Sequence, residues 1–82
     1  MTINFEELIK NIVTPLVVYP DDVVVKKFDE DEELLTLQVF VNQEDLGRVI
    51  GKNGRIASAI RTIAYAGASK EGKKVKIDID AF

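Results

Sequence analysis

The residues with the clearest chemical capacity in this 82-residue chain are Gly51-Lys52-Asn53-Gly54. A glycine lets its backbone approach a ligand with no Cβ in the way, and it accepts positive φ. Two glycines bracketing a basic and an amide residue therefore form a tight turn with exposed N–H groups. A helix beginning at Gly54 puts those N–H groups at the positive end of its dipole, where phosphate is favoured. Arg48 and Arg55 flank the turn. The chemistry implied is capture of a phosphate group. A nucleotide-binding P-loop needs G-x-x-x-x-G-K-[ST] after a strand. Gly47 to Lys52 is one residue short of that, Asn53 stands where the hydroxyl belongs, and the preceding segment reads as helix.

Other chemistry finds little support. The chain has no histidine and no cysteine, which removes the commonest general base, the commonest metal ligand and the thiolate nucleophile. No carboxylate pair or nucleophile–base spacing stands out. The expectation is a non-enzyme without cofactor, metal or disulfide, suited to a reducing compartment. Met1 to Glu7 carries acids where a signal peptide needs basic residues. No apolar run approaches the roughly eighteen residues of a membrane span. The expected setting is the cytoplasm, with no membrane partner.

Net charge is −3, which as a total argues against a nucleic-acid binder. Its distribution argues the other way. Residues 1–43 hold three lysines against nine acids, whereas residues 44–76 hold eight Lys and Arg against three acids. That surplus of positive charge is gathered around the Gly51–Gly54 turn. Local field within a Debye length, rather than total charge, attracts a phosphate.

The elements that must position the turn follow from pattern. Asn4 is placed to N-cap a first helix, with Glu7 in capping-box position and Ile3 and Leu8 as a hydrophobic staple. Phe5, Leu8, Ile9 and Ile12 recur at helical spacing, and Pro15 ends the helix near Thr14. Val23 to Phe28 reads as a strand and Asp29 to Glu33 as a solvated connection. Leu34 to Val41 is a second strand, with Leu35, Leu37, Val39 and Val41 on one face. Asn42 can cap a short helix to about Ile50, with Asp45 at its third position. A longer helix runs from Gly54 to about Ala68, and Gly67 and Gly72 bracket the loop after it. Lys73 to Asp80 alternates Val75, Ile77 and Ile79 with charged residues, the pattern of a strand covered on one side. The order is α-β-β-α-α-β in a single domain spanning 1–82: an α+β fold with a three-stranded sheet and three helices on one face.

Over essentially its whole length this sequence resembles KH domains of the second type. More narrowly, it resembles the small bacterial single-KH RNA-binding proteins of the KhpA family. The residues carrying the resemblance are Leu46-Gly47-Arg48-Val49-Ile50-Gly51-Lys52-Asn53-Gly54-Arg55 and Ser58-Ala59-Ile60-Arg61-Thr62-Ile63. KH sequences usually place a branched apolar residue three positions after the second glycine, where this chain has Ala57 preceded by Ile56. The resemblance implies binding of single-stranded RNA in a groove between the two helices and the sheet edge. Gly51, Lys52, Asn53 and Gly54 then form the clamp, Arg48 and Arg55 add phosphate contacts, and Ile50 touches bases. Arg61, Lys73 and Lys74 read as solvated surface. An RNA chaperone or post-transcriptional regulator is the implied role. The competing reading is a protein-interaction module in which RNA is secondary; the basic, intact turn favours RNA.

The long helix implies self-association. Its non-polar arc spans roughly 200°, more than packing on one sheet uses. The family pattern turns Ala57, Ile60 and Ala64 to the sheet, leaving Ile56, Ala59, Ile63 and Ala66 on a second flank. Exposed apolar surface of this kind marks an interface. The expected partners are a second copy of the chain, giving a homodimer, and, as the family suggests, a larger KH-containing protein, giving a heterodimer. The competing arrangement has the N-terminal helix covering that flank.

Overall fold

The computed structural model describes residues 3–82. Helix α1 spans Phe5–Val13, and the Asn4 side chain accepts a hydrogen bond from the Glu7 N–H at 3.1 Å, which satisfies one of the unpaired donors of the first turn. Phe5, Ile9 and Val13 are buried, with Leu8 and Ile12 at the margin of the core. The α-helix ends at Val13. One 3-10 turn, Thr14–Leu16, follows with Pro15 in its first turn, where the missing N–H has no helical partner to lose. A second such turn occupies Pro20–Asp22.

Strand β1 spans Val24–Glu30 and β2 spans Leu34–Val41; they pair antiparallel. The first strand runs further than expected from sequence. A register shift between Lys27 and Asp29 carries the chain past Phe28, so that Asp29 pairs with Thr36 and Glu30 with Leu35. Glu30 tolerates this position because Lys73 and Lys27 both bind its carboxylate and hold it below the usual carboxylate range. The acidic connection shrinks to residues 31–33. Asp31 closes it by accepting from the N–H groups of Glu33 and Leu34 at 2.8 and 2.7 Å, an Asx turn.

Strand β3 spans Lys74–Ala81 and pairs parallel to β2, giving the sheet order β1-β2-β3. The crossover between these parallel strands is α2, Leu46–Ile50, the glycine-bracketed turn, and α3, Arg55–Lys70. One sheet face carries the buried Leu35, Leu37, Val39, Val41, Val75 and Ile77, and these pack with Phe5, Ile9, Val13 and Ile60 in one core. Ala57, Ile60 and Ala64 are buried as expected, and Ala68 extends the buried stripe of α3.

Two expectations are corrected. Gly67 lies inside α3 and does not bracket the following loop. A Cβ there would come 3.0 Å from the Ile3 side chain and 3.5 Å from Phe5, so the missing side chain admits the N-terminal segment. The segment after Asn42 is not one helix. A 3-10 turn, Gln43–Asp45, precedes α2, and Asn42 caps that turn by accepting from the Glu44 N–H at 2.9 Å.

Candidate nucleic-acid interface

Both glycines of the turn have φ values that side chains avoid: +77° at Gly51 and +74° at Gly54. Gly51 is constrained twice, because a Cβ would sit 2.7 Å from Cγ1 of Ile56. At Gly54 nothing lies within 4 Å of the Cβ position, so that side of the loop is open to an incoming backbone. Asn53, at φ 58° and ψ 25°, adopts the left-handed conformation that asparagine enters more readily than most residues. These φ/ψ values turn the chain through a single 3-10 turn, Lys52–Gly54, closed by the Gly54 N–H on the Gly51 carbonyl at 3.1 Å. The backbone N–H groups of Lys52 and Asn53 immediately precede α3 in this turn. They sit at the start of α3, where the helix dipole favours an anion. Lys52, Asn53 and Arg55 are exposed.

The two ends of the turn are held by different means. Ile56 is half-buried and lies over Gly51, so of the four residues expected on the second flank of α3 it has a partner within the chain. Gly51 donates to the Gly47 carbonyl at 2.9 Å and ends α2. Ile50 is half-buried beside it, and Val49 is fully buried. Arg48 remains about half exposed, but its Nη1 donates to the Glu44 carbonyl at 2.8 Å and to Asp45 Oδ1 at 3.1 Å. That nitrogen serves the fold.

Asp45 is the residue whose role the sequence conceals. Its spacing suggests an early helical residue, yet it lies before α2 and its carboxylate makes no cap. It is fully buried. Oδ1 accepts from the Val18 N–H at 2.9 Å and Oδ2 from the Tyr19 N–H at 3.0 Å. Burial pushes its carboxyl up. The N–H groups of Val18 and Tyr19, with the Arg48 guanidinium, outweigh this and hold it below the usual aspartate range. The anion thus ties the Val17–Tyr19 segment to the helix that leads into the turn. An acid three residues before an arginine is the only signal of this in the sequence.

Arg61, expected as solvated surface, is a second correction at this site. Its Nε and Nη2 both donate to the Ile77 carbonyl, at 3.2 and 3.1 Å. Since β3 is an edge strand, this fork satisfies part of an open strand edge and closes α3 against it. Helices α2 and α3 both pack on β3, the turn joins the two helices, and the α3 flank carrying Arg61 adjoins the β3 edge.

This topology, with a G-x-x-G turn joining the two crossover helices, defines a KH domain of the second type. The chain belongs to the KhpA/KhpB KH-domain family, whose family model matches residues 6–79; it is a family of RNA-binding KH domains, not of enzymes. The RNA-binding protein KhpA of Listeria monocytogenes is 54% identical over 74 residues, covering 90% of this chain and 96% of that protein. The RNA-binding protein KhpA of Bacillus subtilis is 45% identical over 76 residues, covering 93% of each. Among solved structures, Era in complex with MgGDPNP and nucleotides 1506–1542 of 16S ribosomal RNA superposes with a TM-score of 0.75. That likeness has 14% sequence identity and covers 95% of this chain and 30% of Era, and it establishes the fold alone. No helix among the described residues is long and apolar enough to cross a membrane.

Proposed function

We propose that this protein binds single-stranded RNA in the cytoplasm, with Gly51, Lys52, Asn53 and Gly54 clamping the sugar–phosphate backbone. The observation that carries this reading is the open side of Gly54 at the α3 N-terminus, beside the exposed Lys52, Asn53 and Arg55. The RNA-binding relatives support it. Arg55 and the exposed part of Arg48 add phosphate contacts, and Ile50 lies against the bases. The role is that of an RNA chaperone or post-transcriptional regulator.

Binding is expected to be weak and only moderately salt-dependent. Lys52, Arg48 and Arg55 neutralise about three phosphates, which gives a log–log salt slope of roughly −2 for single strands. The acidic first half of the chain discourages wider contact. Filter binding of unstructured RNA across a salt series checks this, and a slope steeper than about −5 would reveal a larger basic footprint. Absence of binding at low salt would favour the protein-interaction reading.

The protein acts as a dimer through α3, and the same surface serves a larger KH-containing partner. Exposure of Ile63 (49%) supports this, as does exposure of Ala59 and Ala66 beside it. The N-terminal segment reaches α3 at Gly67 through Ile3 and Phe5, leaving Ile63 uncovered. The small alanines allow two such helices to approach closely around Ile63. Ile63→Asp is therefore expected to give a folded monomer, read by light scattering and circular dichroism together. A variant that stays folded and dimeric would refute the interface.

A further inference from the structure

A cavity of about 510 Å³ opens at the far end of α3 from the glycine turn. Its floor is apolar, formed by Ala68 and Val75, both almost fully buried. Tyr65 lines it while remaining 47% exposed. Ser69, Lys73 and Lys74 complete the lining. Lys73 is committed to Glu30, whereas Lys74 is exposed and in no ion pair among the described residues. A half-exposed aromatic ring, an apolar floor, a hydroxyl and a free cation make a site for a flat heterocycle attached to an anion.

The cavity also lies in line with the turn. Tyr65 follows Arg61 by one helical turn on the same flank of α3. Arg61 meets Ile77 of β3, and the Tyr65 cavity includes Val75, two residues earlier in the same strand. The flank of α3 and the edge of β3 therefore bound one track leading away from Gly54. From Gly54 to Tyr65 the track covers about 16 Å of helix. An extended strand anchored on the turn crosses that distance within a few nucleotides.

We infer that this cavity holds a further nucleobase of the bound strand, beyond the roughly four nucleotides that a G-x-x-G turn clamps. The base stacks on Tyr65 over Ala68 and Val75, and Lys74 meets its phosphate. Stacking of this kind tolerates any base, because every base has a π-face. The inference rests on the RNA reading above, and it assigns Tyr65 and Lys74 to a flank separate from the proposed dimer surface.

The test is a pair of amide-shift titrations with tetrauridylate and octauridylate. With the octamer, the Ser69, Gly72 and Lys74 amides should move; with the tetramer they should not. Tyr65→Ala should weaken octamer binding about tenfold and leave tetramer binding within about twofold, while Tyr65→Phe keeps both. A folded Tyr65→Ala variant with unchanged octamer affinity would overturn the inference, as would equal losses for both oligomers. The double variant Lys52→Asp, Asn53→Asp separates the extension from the clamp. If it loses both oligomers, the clamp stands and Tyr65 decides the extension. If it retains them, or if the unaltered protein binds neither, the underlying reading fails and the inference with it.

Discussion

Asp45→Asn is expected to lower the melting temperature by on the order of 10 °C. The asparagine fills the same volume but supplies one oxygen where three donors converge: the N–H groups of Val18 and Tyr19 and the Arg48 guanidinium. Its NH₂ group must then face a donor, leaving a buried N–H without a partner and an arginine without its counter-ion. The same reasoning gives the pH dependence. A carboxyl held below its ordinary value of 3.8 in the folded state contributes stability that is complete above the ordinary aspartate range. That contribution is lost as pH falls through the lowered value. Glu30 and Asp31 are shifted the same way, so acid weakens the native state at several points. Asp45→Asn should flatten the acid limb of the stability curve without removing it. Melts by circular dichroism between neutral pH and about pH 3 read both effects. An unchanged melting temperature at neutral pH would mean that the Val17–Tyr19 segment is not held by this anion.

Much of the architecture is legible in the residues because local rules agree with the global fold. Asn4 and Glu7 mark the start of α1, the Leu35 to Val41 alternation sets the buried face of β2, and Val75, Ile77 and Ile79 do so for β3. Gly51 and Gly54 stand out because a positive φ is written into residue type. What escapes depends on contacts between segments distant in sequence. Glu30 pairs with Leu35 in the strand while its carboxylate is bound by Lys73, 43 residues away. Gly67 sits mid-helix, where its missing side chain leaves room for Ile3 and Phe5 to pass close by. Asp45 looks like any early helical acid until Val18 and Tyr19 are brought against it. Arg61 looks solvated until the β3 edge offers the Ile77 carbonyl. In each case the side chain alone carries no mark of its partner, since burial and pairing are properties of the assembled chain.

The clamp itself rests on charge and backbone geometry that can be changed without disturbing the fold. Lys52 and Asn53 are both exposed. Lys52 is in no ion pair among the described residues. Asn53 occupies the left-handed region, which aspartate also tolerates. Replacing both by Asp removes one positive charge and adds two negative ones at the N-terminus of α3, where a phosphate is meant to bind. Each new carboxylate is instead favoured by the helix dipole, so the native state should not weaken. Surface changes of this type move stability by only about half a kcal/mol. The phosphate, in contrast, meets like charge at contact distance. The decisive measurement is RNA titration and thermal melting of Lys52→Asp, Asn53→Asp on one preparation, beside the unaltered protein. The clamp predicts binding abolished with the melting transition retained; a folded double variant that binds RNA with undiminished affinity would contradict it.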